Sequence, residues 1–471
     1  MTTSAPIYLV GTLELASKYR YGLTSRGAPL YLFRPYDEDQ NDYIVGCSER
    51  DTSRNQLAVV EIPADATTTT SSTQKPRANL VRLFGPVGDP AAERTALLQH
   101  YCSVSTKPLA EPTPAPITSD DDRRIEISAA AGWTTLHVDP PGCRDIDDAI
   151  AWFPTERLWA IVIADVAVAV PTNSAIATRA QAIGSTFYDL EGRVVRPMLP
   201  ADISEDTASL LPGCRRRGVA LLFPESDPSA TQWALCWITV THSYTYDSFS
   251  RSPHVWMAGG VDPHDWIAAQ MIRYNAAAAS TLKIHSYGLL RTQAVSQADA
   301  TTTSSFPEEL RHLLNERATY QPADAAANQG HAGLGLPAYA HASSPLRRFA
   351  DLINQRALKT LIVGDGARAP ETPEIAAHLN DRTAANRRWT RDLTFLTHVT
   401  PGKVHIIDVV PVSETHVWVP LWNRLLRLRH TPTESPTQIA IFCDPTKRNW
   451  RQRILTAPVP SPITATETAT E

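Results

Sequence analysis

The chain has six cysteines, at positions 47, 102, 143, 214, 236 and 443, and no two of them form a CxxC pair. That absence argues against a zinc ribbon or a disulfide scaffold and predicts the reduced, mostly buried thiols of an intracellular protein. Long apolar runs are missing too. The longest, Trp159 to Val170, is broken by Asp165 and falls short of the roughly 20 residues a bilayer span needs. Met1 to Pro6 lacks the basic start and apolar stretch of a secretory leader. No membrane partner is expected, and the expected location is cytoplasmic, with the nucleus left open. There is no internal repeat. A global positive charge is also lacking, the formal net charge being −5. What is present is ordinary for a globular protein: 43% hydrophobic and 20% charged residues in a chain of 471, enough for about three domains of roughly 100–200 residues. Proline outnumbers glycine by 37 to 21, which points to linkers.

The charge is unevenly placed. From Asp381 to Pro458 there are twelve Lys and Arg against six Asp and Glu, and ten of the twelve are Arg. A basic end on an acidic chain suits either a polyanion partner or a solvated face. Residues 1–104 alternate like short strands (Ile7 to Val10, Leu30 to Phe33, Tyr43 to Val45, Leu57 to Ile62), as in a small β-barrel. The Thr/Ser tract from Thr67 to Thr73 reads as a loop, and Pro108 to Asp122, with four prolines and an acidic run, reads as a linker. An αβ region follows to about His398. Strand-like runs resume at Val404 to Val410, Val417 to Val419 and Ile439 to Phe442, before a Thr/Ala/Pro-rich tail.

The chemistry concentrates in Thr134 to Ile150. Residues 134–138 favour a strand, and Pro140-Pro141-Gly142 forces a turn. Asp145 and Asp147 are two apart and share a face on extended chain, whereas Asp148 points the other way unless the backbone bulges. Together with Asp139 they make four carboxylates that repel one another unless protonated or held by cations. Hard oxygen donors suit Mg²⁺ or Mn²⁺, and two such ions about 4 Å apart can activate water against a phosphodiester. A calcium loop is excluded by the missing Gly and Glu at its sixth and twelfth positions. A solvated acidic turn is disfavoured by the strand-forming residues on both sides.

A second segment, Tyr339 to Ile353, offers cations. Ser344 followed by Pro345 predicts a helix start with Ser344 as N-cap, and Leu346, Phe349, Ile353, Ala357 and Leu361 fall on one apolar stripe. Arg347 and Arg348 in that first turn would oppose the helix dipole and, beside exposed N–H groups, form a phosphate site. The alternative pairs Arg347 with Asp351, four residues on. His341 is taken as structural. Tyr188 suits either a core or a base-stacking role.

These segments are ordered blocks. Asp139-x5-Asp145-x-Asp147-Asp148 is followed by Ile163 to Val166. Next come Tyr188 with Pro197 to Pro200, Ile203 to Asp206 and Ser209-Leu210, then Met271 to Asn275 with Gly288 to Arg291, and last Tyr339 to Ile353. Over about 210 residues they resemble the ribonuclease II/R (RNB) family of 3′–5′ exoribonucleases, which includes the catalytic subunit of the eukaryotic exosome.

The resemblance implies an α+β chain, with an RNB-type mixed αβ catalytic domain flanked by small OB-like β-barrels. The expected division is an OB/cold-shock-like barrel over 1–104, a linker over 105–121, the catalytic domain over 122–398, an OB-like RNA-binding domain over 399–458 and a disordered tail over 459–471. It also implies processive hydrolysis of single-stranded RNA from the 3′ end to nucleoside 5′-monophosphates, with Mg²⁺ (or Mn²⁺). On the matching positions Asp139, Asp145, Asp147 and Asp148 are the metal-site carboxylates, and Asp147 is the one whose loss is most damaging. Arg347 binds the scissile phosphate, and Tyr188 and Arg348 contact RNA. The implied partner is single-stranded RNA, the implied state a monomer, with association with an RNA-decay complex left open. The chain departs from the pattern at Ala385-Asn386-Arg387, where bacterial relatives often carry Ala-Glu-Arg. The C-terminal module matches only in pattern, mixing Trp418, Trp422, Arg424 and Trp450. Two rivals stay open: an RNB-fold RNA-binding protein without hydrolysis, and a metal-dependent exonuclease acting on DNA.

Overall fold

A computed structural model of the chain describes residues 7–37, 39–63, 75–103, 123–294, 310, 317–326, 329–364, 371–399, 402–428, 436–444, 447 and 450–459, except the side chains of Trp450 and Arg451. The tract Thr67 to Thr73, the linker expected over 105–121 and the tail from Pro460 lie outside the described residues, as do Arg429 and Arg448. Two compact units emerge. One takes in residues 1–105, 299–314 and 387–471, the other 106–298 and 315–386.

In the first unit, β1 (Ile7–Leu13), β2 (Leu30–Pro35), β3 (Tyr43–Gly46), β4 (Gln56–Ile62) and β5 (Arg77–Pro86) close a barrel in the order β1-β2-β3-β5-β4. Tyr31, Phe33, Val45 and Val60 fill its interior. The outward residues Val10, Leu57 and Val59 are buried as well, because α1 (Pro90–Tyr101) lays Ala92 and Ala96 on that face. Asp89 caps α1 by accepting from the Ala92 N–H at 2.9 Å. Gly11 is required where β1 crosses β2, since a Cβ there would sit 2.1 Å from the Arg34 carbonyl oxygen.

The second unit is built on a seven-stranded sheet. Its strands are β6 (Ile125–Ile127), β7 (Thr134–Val138), β8 (Asp148–Phe153), β9 (Leu158–Ala164), β12 (Arg215–Pro224), β13 (Gln232–Thr239) and β14 (His242–Tyr244), in the order β14-β7-β8-β9-β12-β13-β6. Between β9 and β12 lie α2 (Ala175–Ile183) and the pair β10 (Phe187–Tyr188) and β11 (Val194–Arg196). Leu136, Ile150, Ile161 and Leu221 alternate onto one face of the sheet and share a core with Trp266, Tyr274, Ala278 and Leu282 of α3 (Pro263–His285). The hairpin β15 (Leu289–Thr292) and β16 (Thr319–Pro322) leads to α4 (Phe349–Val363). Buried polar groups on α4 serve the backbone of other elements: Gln355 joins Ala164 O and Ala167 N, and Asn354 joins Leu289 N and O.

The start of α4 differs from the sequence expectation. The N-cap is Arg348, in extended conformation and without a side-chain cap, so Ser344 and Pro345 precede the helix by a turn. The reason is tertiary. Phe349 N–H donates to Gly184 O at 2.9 Å and Thr186 N–H to Arg347 O at 3.0 Å, so residues 347–349 run as a strip beside residues 184–186. The local Ser-Pro signal is overridden by that pairing.

The unit boundary falls within α5 (Pro373–His398). Beyond it the first unit resumes with β17 (Val404–Asp408), β18 (Val410–Ser413), β19 (His416–Val419), β20 (Arg424–Arg427), β21 (Gln438–Cys443) and β22 (Ile454–Pro458). They form two three-stranded sheets, β17-β21-β22 and β18-β19-β20. This C-terminal segment is joined to α1 by a buried ion pair, Arg453 Nη1 to Glu93 Oε1 at 2.8 Å, and by the Tyr101 hydroxyl donating to Asp392 at 2.6 Å. The six cysteines are free thiols, four of them buried. No helix among the described residues is long and apolar enough to cross a membrane.

Candidate active site

The connection from β7 to β8 carries Asp139, Asp145 and Asp147, and Asp148 is the first residue of β8. Gly142, at φ +79°, turns the chain after Asp139. The return strand is then anchored at Ile146, whose side chain is buried between two acids. Its N–H donates to Ser209 Oγ at 3.0 Å and its carbonyl accepts from Leu210 N–H at 3.0 Å, while Ser209 Oγ donates to Arg144 O at 2.6 Å. With Ile146 pinned inward, Asp145 and Asp147 flank it, and Asp148 opens β8 opposite Ile163.

Asp147 is 2% exposed and both its oxygens are engaged. Oδ1 accepts from Leu346 N–H at 2.8 Å and Oδ2 from Arg347 Nε at 3.1 Å. Burial pushes its pKa up to about 7, against the opposing pull of the Arg347 charge and the Leu346 N–H. Arg347 keeps a guanidinium edge in solvent, its side chain being 47% exposed, and Nη2 donates to Ser344 Oγ at 3.2 Å. Burial works against its charge, but Asp147, Tyr188 and Asp148 outweigh that and hold it protonated. Asp148 is raised well above the usual carboxylate range by burial first, then by the charges of Asp139 and Asp147. Tyr188, partly buried on β10, donates its hydroxyl to Asp145 Oδ2 at 3.4 Å. Asp139, Asp145, Asp147, Asp148, Arg347 and Tyr188, all expected site residues, are therefore linked into one electrostatic group in which each feels at least one of the others.

Arg348 is placed differently. It is Arg348, not Arg347, that pairs with Asp351, Nη2 to Oδ1 at 2.8 Å, and Oδ1 also accepts from Ser344 N–H at 2.8 Å. The alternative pairing of Arg347 with Asp351 is thus replaced by a bond to a residue 200 positions away. His341 is buried with Nδ1 against the Tyr320 hydroxyl at 2.7 Å, and burial holds it well below the usual histidine range. In the C-terminal segment Trp418 is buried, and Trp422 packs on Phe395 and His398. The Arg424 guanidinium lies 4.1 Å over the Phe395 ring, lowered to about 9 by burial and then by Arg391.

Three contributors were not singled out by sequence. Leu346, named above only for an apolar stripe, acts through its backbone, and Ser209, named only within an ordered block, acts through its hydroxyl. His137 was findable: it stands two residues before Asp139 on extended chain, the same relation that pairs Asp145 with Asp147, and its Nδ1 meets Asp139 Oδ2 at 2.8 Å. Asn386, noted only as a departure, donates Nδ2 to Ser185 Oγ and Thr186 O, both at 2.9 Å, and so ties down the strand that carries Tyr188.

Among the described residues no three Asp, Glu, His or Cys side chains gather around a single point fit for an ion. The donor chemistry nevertheless suits a hard dication, because the charge of Asp139 opposes ionisation of Asp148 and a cation would remove that opposition. Asp147 is the least suited of the four, having both oxygens occupied.

A family profile described as the RNB domain matches residues 129–253 and 262–364. Ribonuclease R of Helicobacter pylori is 24% identical over 390 residues, covering 63% of this chain and 57% of that protein. Exoribonuclease 2 of Yersinia enterocolitica is 44% identical over 63 residues, which is 13% of this chain and 10% of that one. The chain thus spans little more than half the length of the first relative. Among solved structures, Mycoplasma genitalium RNase R in complex with double-stranded RNA aligns with TM-score 0.67 at 16% identity, over 98% of this chain and 96% of that one. Yeast Ssd1, described as a pseudonuclease, aligns with TM-score 0.67 at 16% identity over 95% and 67%. These likenesses extend the fold over nearly the whole chain.

Proposed function

The chain belongs to the RNB family, and from that premise we propose that it is a 3′–5′ exoribonuclease hydrolysing single-stranded RNA processively to nucleoside 5′-monophosphates. The proposed organisation is a catalytic domain over 122–398 between OB-like barrels over 1–104 and 399–458. The observation that carries the reading is the Arg347–Asp147 pair, a half-exposed guanidinium fixed by its Nε beside three further carboxylates.

In this reading Asp147 does not touch RNA. It orients Arg347 so that the solvent-facing guanidinium edge meets the scissile phosphate and takes up the charge that develops there. The Tyr188 ring stacks on a base near the 3′ end, its hydroxyl held by Asp145. Arg348, tied to Asp351, supports the strip that presents Arg347, and its contact with RNA is secondary. Asp139, Asp145 and Asp148 would hold Mg²⁺ or Mn²⁺, which supplies Lewis acidity and an activated water when bound. Water adds to phosphorus, the P–O3′ bond breaks, the terminal nucleotide leaves as its 5′-monophosphate, and the shortened strand keeps a 3′-hydroxyl. The expected setting is a cytoplasmic monomer acting on RNA.

A second reading is an RNA-binding member without hydrolysis. It is favoured by the absence, among the described residues, of three converging carboxylates and by Asn386, which departs from the Ala-Glu-Arg pattern that the resemblance to bacterial members implies. The experiment is a gel assay of the purified protein with 5′-labelled single-stranded RNA and the matching DNA, in Mg²⁺, Mn²⁺ or excess chelator. Shortening from the 3′ end with divalent metal, abolished by chelator and by Asp147→Asn, supports the nuclease. RNA binding without cleavage in either metal selects the second reading. Full cleavage in chelator removes the metal from the mechanism, and preference for DNA changes the substrate.

A further inference from the structure

We infer that His137 is a positioning residue that fixes the Asp139 carboxylate within the acidic cluster. The inference rests on the proposal that Asp139 helps hold a divalent cation. On β7, Leu136 and Val138 point into the core, so Thr135 and His137 occupy the opposite face. The backbone stays extended to Asp139, whose N–H donates to Tyr244 O at 3.0 Å. Asp139 therefore follows His137 on the same side, and the two side chains meet at 2.8 Å, Nδ1 to Oδ2. Because the carboxylate accepts, Nδ1 carries the hydrogen.

Two observations separate this contact from ordinary packing. The His137 ring is 4% exposed, and its Nε2 has no hydrogen-bond partner. A leucine would fill the same space without burying an unsatisfied nitrogen, so packing alone does not explain an imidazole here. The second observation concerns Asp139. Among the described residues the bond from His137 is the one hydrogen bond its carboxylate makes. Pro140 follows it in a turn, and Cys143 and Asp148 sense its charge without donating to it. Among the described residues no other hydrogen bond orients its side chain. One ring nitrogen is left unsatisfied, and the other fixes an acid whose place relative to Asp148 decides whether both can share a cation. Groups that orient a metal-holding side chain in this way change metal affinity by about 10–100-fold when removed.

The two ring nitrogens can be told apart by substitution. Asn places its amide N–H close to where Nδ1 stands, and Gln places it close to Nε2. The test compares wild type, H137N, H137Q and H137L in Mn²⁺ titrations by calorimetry without RNA, with thermal melting of each metal-free protein, and then kcat and KM on single-stranded RNA at limiting and saturating Mn²⁺. The expected result is Mn²⁺ affinity near wild type for H137N and about 10-fold or more weaker for H137Q and H137L. For the latter two, kcat falls at limiting metal and recovers at saturation while KM for RNA stays constant. Equal affinities for H137N and H137Q, or unchanged binding by H137L, overturn the inference. A wild type that binds no Mn²⁺ overturns the metal reading and this inference with it, an outcome visible before any variant is made. Selective ¹⁵N-histidine NMR of the metal-free wild type needs no variant: an Nδ1–H ring at position 137 is expected, and an Nε2–H tautomer defeats the inference even if every variant unfolds.

Discussion

Asp147 and Asp165 are both buried aspartates at the same end of the β8–β9 hairpin, where Ala164 N–H donates to Asp147 O. Their surroundings differ in one respect. Asp165 is closed in: Arg124 Nη2 at 2.6 Å and Lys359 Nζ at 2.8 Å meet it, and all three side chains are largely or wholly withdrawn from solvent. Asp147 has a single cation, and that cation is half exposed. A closed ionic group has no edge left for a ligand and acts on stability. An open one leaves a donor edge in solvent and costs folding energy at the carboxylate, which is the condition of a site meant to be completed by something else.

The largest effect should come from opening the closed group. Asp165→Ala leaves Arg124 and Lys359 buried without that carboxylate, and breaking a buried pair from one side typically costs about 3–5 kcal/mol. A large drop in urea midpoint is expected, while Asp147→Asn, whose amide oxygen still accepts from Leu346, should melt no lower than wild type. If Asp165→Ala melts normally and Asp147→Asn unfolds, the two aspartates have been assigned the wrong way round.

The next prediction sharpens the contrast through pH. Asp147 has its folded pKa raised to about 7 from an ordinary carboxylate value near 3.8, so the folded state holds its proton longer than the unfolded chain does. The stability this group contributes is complete below that ordinary range and is lost as pH rises to about 7. Asp147→Asn cannot titrate. In chelator, the stability of wild type minus that of Asp147→Asn should therefore fall between about pH 4 and 7 and level off above. A flat difference, measured by urea melts across that range, would mean Asp147 is not held neutral by burial.

Arg347→Lys tests the open cation itself. Lysine cannot bond Asp147 through a side nitrogen and present a second edge at once. Turnover should fall about 10²–10³-fold, the usual loss when one charge-stabilising donor is removed. Melting and binding of long RNA should change little, because many phosphate contacts share that affinity. Single-turnover cleavage at wild-type rate would reduce the pair to a structural one.

Much of this was legible from residue order, and the exceptions share a cause. The barrel strands and the β7–β8 connection were readable because alternation and a Pro-Pro-Gly turn are local signals that local geometry obeys. The beginning of α4 was not. Ser344 and Pro345 are a sound local start, yet residues 347–349 pair with 184–186, a contact that no window of sequence contains. The same long-range pairing hands Arg347 to Asp147 and leaves Asp351 to Arg348. Asn386 shows the reverse. Judged against relatives it looked like a lost carboxylate, but its amide donates to the Thr186 carbonyl, which a carboxylate cannot do. Its role here is to hold a strand.

The smallest effect, and the one that ties the open region to RNA, lies at Tyr188. If the ring stacks on a base, Tyr188→Ala removes about 1–3 kcal/mol of grip on short strands. Long substrates keep their other contacts and should still be shortened, but short ones should dissociate earlier, so the final product should lengthen by a few nucleotides. Tyr188→Phe separates stacking from the hydroxyl. The bond to Asp145 is long, at 3.4 Å, so its loss should be nearly silent in product length. Three results are informative. A longer final product for Ala alone places the ring on RNA. A longer product for both variants makes the hydroxyl, through Asp145, the part that matters. An unchanged product for both, with a lower melting point for Ala, returns Tyr188 to the core beside Phe187 and leaves Arg347 to join the open region to substrate.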